Sequence, residues 1–291
     1  MAELTRVPAK PHRSHQMGLH REPLAGRGTK VFFSPEADGP LPEEEGFLYP
    51  DALPVDFDRK AEFDAAALDA PAINRQIRGL MREGYGTIVV HNPLAKHSLG
   101  VGILNRLRLQ FEGSLGYFGC GLIDGPNVRI RGRVGWSCAE NMLAGTVVVD
   151  KHAGSCFGAA LRGGDLVCKG NVGGRTGIDM KGGTILVGGR TGAFSGFMMQ
   201  RGRMIILGDA GKNLGDSMYD GIIYVGGRIA SLGVDAVPAE MTDADVTWLT
   251  HKLRIYGLEA PGGVANMTKI VAGKRLWNYD SLEPAEKKMV L

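Results

Sequence analysis

Residues 183–201, GTILVGGRTGAFSGFMMQR, form one unit of a repeat that runs through the middle of this 291-residue chain. The unit contains a short alternating strand at 184–187, a Gly-x-x-Gly corner at 189–192 and a looser return. Glycine recurs at both corner positions every 19 residues, with Lys151 as the exception in the row of first positions. The first position holds Gly113, Gly132, Gly170, Gly189, Gly208 and Gly227, and the second holds Gly116, Gly135, Gly154, Gly173, Gly192 and Gly211. An internal period of this kind indicates stacked structural repeats.

Each repeat also carries two apolar residues two positions apart, whose side chains point to one face of a strand. These pairs are Val128/Ile130, Val147/Val149, Leu166/Cys168, Ile185/Val187, Met204/Ile206 and Ile223/Val225. Equivalent residues return once per coil, so they stack as ladders about 4.8 Å apart. The chain is therefore predicted to be mainly β: a single-stranded right-handed β-helix of 19-residue coils with flanking capping helices. Glycine at one phase of every coil predicts a positive φ or close backbone contact there.

Four regions are predicted along the chain. Residues 1–60 are expected to be an extended Pro-rich arm, because eight of the 14 prolines precede residue 55 and apolar periodicity is absent. The β-helix is expected at 61–240, with a helix near 69–83 at its start. A C-terminal capping helix is expected at 241–257, followed by an extended tail at 258–291.

Both predicted helices have recognisable caps. Asp69 can cap the first helix, and Pro71 suits its first turn. The sequence Thr242-Asp243-Ala244-Asp245 resembles a capping box at the start of the second. Because a solenoid has open ends, these two helices are predicted to cover them.

Aromatic residues in the arm and the tail are candidate anchors. Phe32 and Phe33 lie in the arm, and Trp277 and Tyr279 lie in the tail. Neither region is rich enough in apolar residues to form a core of its own. These four side chains are therefore predicted to dock on the chain's own domain or on a partner.

Composition narrows the class of protein. The formal charge is +3, so the chain as a whole does not indicate a nucleic-acid partner. No apolar run approaches the roughly 18 residues of a membrane span, and the first residues lack the apolar core of a signal peptide. The expected compartment is the cytoplasm, with no membrane association.

The four cysteines lie within the repeat. They are Cys120, Cys138, Cys156 and Cys168. An iron–sulfur or zinc site is the alternative to small buried thiols in a reducing compartment. The spacings bring some of them near one another on successive coils, but their phases slide relative to the corner glycines. The prediction is buried thiols and no metal site.

The repeat imitates phosphate-binding loops without their context. Residues 188–192 follow a strand, but no helix follows them, and near-copies recur in other coils. Gly211-Lys212-Asn213 does not complete a Walker loop. No Gly-x-Ser-x-Gly elbow, His-Glu-x-x-His motif or EF-hand loop is present. We therefore expect no catalytic, cofactor-binding or metal-binding residue, and a scaffold with protein-binding faces.

The Gly-x-x-Gly corners on a 19-residue coil resemble the GXGXG domain that ends the large subunit of glutamate synthase. One subunit of formylmethanofuran dehydrogenase, and of the related formyltransferase/hydrolase complex, shares that domain. Residues 62–257 most resemble the small stand-alone GXGXG subunit of N-methylglutamate synthase. The stretches that carry this likeness are AENM at 139–142, LGDSMY at 214–219, IYV at 223–225 and IASLGVD at 229–235.

This resemblance implies a non-catalytic assembly subunit of a hetero-oligomeric flavoenzyme. Its expected partners are a class II amidotransferase-like subunit and an FMN-binding, glutamate-synthase-like subunit with iron–sulfur clusters. Such an assembly converts methylamine and L-glutamate to N-methylglutamate and ammonia. By the same resemblance, no cofactor and no active site is expected in this chain.

Two other interpretations stay open. One is the equivalent GXGXG subunit of a formyltransferase/hydrolase or formylmethanofuran dehydrogenase complex. The other, from a different class, is a stand-alone β-helical enzyme or carbohydrate-binding protein. The latter would require aromatics or paired acids along one ladder, whereas the repeated rows hold glycine, methionine and aliphatic residues.

Overall fold

The computed structural model describes residues 52–275, which form one 11-stranded sheet, two α-helices and one short 3-10 helix. The strands are β1 (Asp56–Asp64), β2 (Tyr85–His91), β3 (Arg108–Glu112), β4 (Asp124–Ile130), β5 (Ala144–Val149), β6 (Asp165–Cys168), β7 (Lys181–Val187), β8 (Arg201–Ile206), β9 (Ile222–Val225), β10 (Ala236–Ala239) and β11 (Thr268–Ala272). The helices are α1 (Ala70–Arg82), α2 (Asp243–Ile255) and the 3-10 helix Val264–Asn266. Neither α-helix of this part of the chain is long and apolar enough to cross a bilayer.

The 19-residue period of the sequence equals the number of residues between paired positions on neighbouring strands. Strands β1 to β9 are parallel, and each pairs with the next along the chain. In the regular coils the paired residues are 19 apart, as in Val147–Leu166–Ile185. A parallel sheet whose neighbours are successive coils is a β-solenoid. The predicted mainly-β coil architecture is therefore confirmed.

The interior of the solenoid is one continuous apolar core. The paired inward residues of β4 to β9 all belong to it. A row of long side chains from the return segments faces them, and each of these is fully buried. That row consists of Ile123, Met142, Leu161, Met180, Met199 and Met218. Unbranched methionine suits this position because it adapts to irregular space.

The corner rows are glycine because successive coils approach too closely for a side chain. Of the twelve corner glycines, only Gly113 has a positive φ, at 151°. A Cβ on Gly173 would lie 2.6 Å from the backbone nitrogen of Ser155. A Cβ on Gly208 would lie 2.8 Å from the carbonyl carbon of Gly189. Close contact, rather than left-handed backbone, is the reason for these two rows.

Left-handed backbone occurs at another glycine row, at the start of the strands. These residues are Gly145 (98°), Gly164 (78°), Gly183 (75°), Gly202 (98°) and Gly221 (100°). They also approach the preceding coil, since a Cβ on Gly145 would lie 2.3 Å from the Pro126 carbonyl oxygen. Each coil therefore needs glycine for two separate reasons.

Helix α1 closes the N-terminal end of the core. The Asp69 carboxylate accepts a hydrogen bond from the Ala72 N–H at 2.7 Å, which confirms the predicted cap. The Asn74 side chain donates to the Ser98 carbonyl at 2.8 Å, so the helix lies against the return segment of the next coil. Its buried residues are Ile73, Ile77 and Met81.

Helix α2 lies on the outer face of the sheet, and the prediction that it covers the C-terminal end is wrong. Leu249 and Leu253 belong to a second apolar cluster, separate from the interior core. The outward-facing sheet residues of that cluster are Val148, Val167, Leu186, Ile205 and Tyr224. Strands β5 to β9 are apolar on both faces, so the outer face also requires cover. The predicted capping box of Thr242 and Asp245 is present.

Two segments predicted to lie outside the β-helix contribute strands to the sheet. Strand β1 begins at Asp56, so the solenoid starts within the segment predicted as an arm up to residue 60. Beyond residue 258, β11 inserts antiparallel between β9 and β10, and Ile270 joins the interior core. The pairing satisfies backbone groups that β9 would otherwise expose. The predicted anchors Phe32, Phe33, Trp277 and Tyr279 lie outside the described residues.

Candidate functional site: an exposed aromatic ladder

Three aromatic rings stack on the outside of the N-terminal coils. His97, Tyr117 and Trp136 lie on successive coils, and each ring contacts the next. The His97 and Tyr117 rings are 4.7 Å apart between centroids with 8° between their planes. The Tyr117 and Trp136 rings are 5.5 Å apart with 27° between their planes. We call these three side chains the aromatic ladder.

The corner glycines make room for the ladder. A Cβ on Gly135 would lie 2.5 Å from Cδ1 of Tyr117, and one on Gly154 would lie 2.5 Å from Cδ1 of Trp136. The ladder is also tied to the backbone, because the Tyr117 N–H donates to Nδ1 of His97 at 2.9 Å. Tyr117 and Trp136 thus rest on the bare backbone of the next coil, which holds the stack in one geometry.

The large rings of the ladder are exposed to solvent. Tyr117 is 43% exposed and Trp136 is 58% exposed. Other large apolar side chains of the same coils are also exposed: Leu94, Leu104, Phe118, Leu122 and Leu143. Exposed apolar residues scattered singly need no explanation, but stacked, exposed aromatic rings are typical of a protein-binding surface.

On the same side of the column as the ladder, the coils toward the C-terminus carry exposed basic side chains. We call the corner segments 113–118, 132–137, 151–156, 170–175, 189–194, 208–213 and 227–232 the corner face. Its exposed basic residues are Arg133, Lys151, Arg175, Arg190, Lys212 and Arg228. Its single carboxylate, Asp209, pairs with Arg228 at 3.3 Å. The corner face is therefore aromatic at one end and basic along the rest of its length.

A polar cluster that sequence reasoning missed lies between α2 and the sheet. Lys252 Nζ lies 3.0 and 2.9 Å from the two carboxylate oxygens of Asp165, and both residues are buried. Tyr256 donates a hydrogen bond to the same carboxylate. Burial, followed by the negative charge of Asp165, raises the pKa of Tyr256 well above its usual value. Both oxygens of Asp165 are occupied, so the pair positions the helix.

A second carboxylate fixes the N-terminal turn of α2. Asp245 accepts hydrogen bonds from the Tyr224 hydroxyl at 2.6 Å and from Lys269 Nζ at 2.7 Å. Burial alone would raise the pKa of this carboxyl, but the hydrogen bonds from Lys269, Tyr224 and Thr242 outweigh it and hold the pKa well below its usual value. We call the contacts of Asp165 and Asp245 the α2 clamp.

The cysteines are free thiols in the described part of the chain, and three of them are buried. Burial raises the pKa of Cys120 and of Cys168 to about 12. Such thiols are poor nucleophiles at neutral pH, because the thiolate is the reactive form. Residues 52–275 contain no group of three or more His, Cys, Asp or Glu side chains placed to hold a metal ion.

The sequence-predicted site residues form two sets, the corner glycines and the four aromatic anchors Phe32, Phe33, Trp277 and Tyr279, and the anchors lie outside the described residues. The twelve corner glycines are brought together as two stacked rows on one edge of the column, where they support the ladder. The ladder itself is not evident from any motif in the sequence, and the expectation that no ladder of aromatic side chains is present is wrong. A usable signal exists, since Tyr117 and Trp136 each follow a second-row corner glycine and lie 19 residues apart.

The architecture has a recognised family signature. The model of the family described as GXGXG motif matches residues 70–247, from the start of α1 into α2. The chain belongs to the GXGXG family. Protein GlxC from Rhizobium meliloti (strain 1021) is similar to this GXGXG protein, with 45% identity over 60 residues. That alignment spans 21% of this chain and 26% of the relative, so about a quarter of the relative's length is matched.

Proposed function

We propose that this GXGXG chain is a non-catalytic assembly subunit of a glutamate-synthase-like flavoenzyme complex, most specifically of N-methylglutamate synthase. Family membership supports the class of complex. The four stretches at 139–142, 214–219, 223–225 and 229–235 support the choice of this complex within the class. The reaction of the assembly would convert methylamine and L-glutamate to N-methylglutamate and ammonia.

The aromatic ladder is the observation that carries an assembly role. Tyr117 and Trp136 are large, exposed and already stacked. These two side chains therefore lose little conformational entropy when a partner covers them. Aromatic anchors of this kind dominate the binding energy of protein interfaces. A column of coils that share one core and are joined by backbone hydrogen bonds presents them on a fixed support.

The chemistry of the complex would belong to other subunits. We expect a class II amidotransferase-like partner and an FMN-binding, glutamate-synthase-like partner with iron–sulfur clusters, assembled as a hetero-oligomer in the cytoplasm. The buried carboxylates of residues 52–275, Asp165 and Asp245, are engaged with Lys252, Tyr256, Tyr224 and Lys269. They therefore support structure and not the transfer of protons to a substrate.

Purification of the full-length tagged chain from its native host tests the proposal. An amidotransferase-like protein and a flavoprotein should co-purify, and the flavin absorbance should follow the tagged chain. The variant with Tyr117→Ala and Trp136→Ala should lose at least one partner. Val234→Ala is the matched control, because Val234 is 57% exposed outside the N-terminal coils and its loss should leave the complex intact.

The composition of the purified complex also separates the alternatives. Partners of the formyltransferase/hydrolase or formylmethanofuran dehydrogenase type would place the chain in those complexes instead. A chain that emerges alone from the native host, with no flavoprotein, would refute the assembly role in any glutamate-synthase-like complex.

A further inference from the structure

The corner face has a specific chemical complement. An occupant that fits it must offer aromatic or proline side chains to stack on the ladder and carboxylates to meet the basic residues. Aromatic and guanidinium groups attract such segments through stacking and charge-assisted hydrogen bonds. The chain's own residues 31–51 have this composition.

Residues 31–51, VFFSPEADGPLPEEEGFLYPD, combine acids with aromatics. The segment contains six Asp or Glu residues and no Lys or Arg. Its aromatic residues are Phe32, Phe33, Phe47 and Tyr49. Residues 1–30 have the opposite charge, with six Lys or Arg residues against two acids. The complementarity is therefore a property of 31–51 and not of the whole N-terminal region.

The segment is attached at the end of the column that carries the ladder. Leu53 is held to Asn105 by two hydrogen bonds, at 2.8 Å from its N–H and 3.2 Å to its carbonyl. Asn105 follows His97, the first ring of the ladder, within the same coil. An extended chain of 21 residues reaches up to about 70 Å. The ladder spans two coil spacings, about 10 Å, so the segment can reach every ring.

Because residues 31–51 are covalently attached to the column, they can dock on it with a weak intrinsic affinity. A short tether raises the effective concentration of a segment near its site to the millimolar range, so individually weak contacts suffice. Each exposed ion pair contributes little by itself. Several such pairs together with two or three aromatic contacts give a tethered segment a favourable docked state.

We propose that, in the free subunit, residues 31–51 fold back on their own chain and cover the aromatic ladder and the adjacent cations of the corner face. The inference concerns the chain on its own and does not depend on the proposed function. A partner subunit that uses the same surface must displace the segment.

Photo-crosslinking of the full-length purified chain tests this inference. The photoreactive residue p-benzoylphenylalanine replaces Phe118, which is exposed beside Tyr117, so the ladder stays intact. Mass spectrometry after irradiation should find cross-links from position 118 to residues 31–51. A mixture of isotope-labelled and unlabelled protein distinguishes cross-links within one chain from those between two copies.

Charge reversal supplies the matched comparison. The triple variant Glu43→Lys, Glu44→Lys and Glu45→Lys should lower the cross-link yield about tenfold, because three attractions become repulsions. The double variant Glu3→Lys and Glu22→Lys reverses acids outside the segment and should leave the yield unchanged. Cross-links absent from 31–51, cross-links only between copies, or a yield insensitive to the triple reversal would each overturn the inference. Failure to find partner subunits in the native host would not affect this result.

Discussion

At the corners of the coils, glycine is required because a Cβ atom would prevent successive coils from stacking at their observed distance. The Cβ position of Gly173 lies within 2.8 Å of three atoms, two of them backbone, on the preceding coil. Such contacts cannot relax by a rotamer change, because backbone on both sides is held by inter-coil hydrogen bonds. Gly173 donates its N–H to the Ala153 and Gly154 carbonyls at 3.2 Å.

Gly173→Ala is therefore expected to lower the free energy of unfolding by about 2–4 kcal/mol, in the range of overpacking and backbone strain. Gly79→Ala is the matched control, because nothing lies within 4 Å of its Cβ position and it lies inside α1. That substitution should stabilise by about 0.5–1 kcal/mol through helix propensity. Denaturant unfolding of both variants measures the difference, and equal effects would contradict the close-contact explanation.

Gly257 forms an intermediate case. Its surroundings are open, but its φ is +61°, as is usual for a residue that ends a helix. Gly257→Ala should cost about 1 kcal/mol from the left-handed backbone alone. We therefore expect Gly173→Ala to destabilise far more than Gly257→Ala, and equal melting shifts for the two variants would count against the role of the corner.

At the scale of elements, the two faces of the sheet have different covers. The inner face closes on the return segments of its own coils. The outer face of β5 to β9 is covered by α2. Asp165 of the sheet and Asp245 of the helix hold α2 in place through ion pairs. Apolar contacts hold α2 on the sheet but do not select one position along it. The ion pairs and hydrogen bonds of the α2 clamp select that position.

Lys252→Met should lower the free energy of unfolding by about 3–5 kcal/mol, because it leaves the Asp165 carboxylate buried without its cation. Adding Asp165→Asn should recover most of that loss, since the double variant buries no charge. Lys60→Met removes an exposed ion pair with Glu62 and should leave stability almost unchanged. A double-mutant cycle by chemical denaturation measures the coupling, and simple additivity of the two α2 changes would refute it.

The clamp residue Asp245 makes the stability sensitive to acid. Its folded-state pKa is depressed, so its contribution is present above the unfolded pKa of about 3.9 and is lost as pH falls toward the folded value. Wild-type protein should therefore lose more stability than Asp245→Asn between about pH 5 and pH 2. Thermal unfolding across that range tests the sign, and parallel curves for the two proteins would contradict it.

At the scale of the whole molecule, segments from both ends of the described chain complete the sheet. Strand β11 lies between β9 and β10, and Lys269 of that strand binds Asp245 of α2. The C-terminal region is therefore part of the solenoid itself up to Arg275. The N-terminal region contributes β1 from Asp56 onward.

Truncation separates these contributions. Removal of residues 258–291 should lower the melting temperature strongly, by about 10 °C or more, because β11 and the Lys269–Asp245 pair are lost. Removal of residues 276–291 is the matched control and should leave the fold intact, as should removal of residues 1–51. A mild effect of the longer C-terminal truncation would show that β11 does not support the sheet.

The repeat follows from local sequence alone. A 19-residue period of glycines and alternating apolar residues predicts stacked coils, because only a structure that repeats its geometry needs the same residue at the same phase. The caps of both helices at Asp69 and Thr242 are predictable for a similar reason, since a helix cap depends on a few neighbouring residues. Family resemblance rests on the same local patterns.

The placement of the non-repeating segments, in contrast, follows only from tertiary contacts. The positions of α2 and β11 depend on which surface of the completed column is left apolar or unpaired, and that surface does not exist until the coils have stacked. The aromatic ladder likewise becomes a site only when Tyr117 and Trp136, 19 residues apart, come into contact across two coils. Local patterns specify a coil, whereas contacts between coils specify the surface of the column.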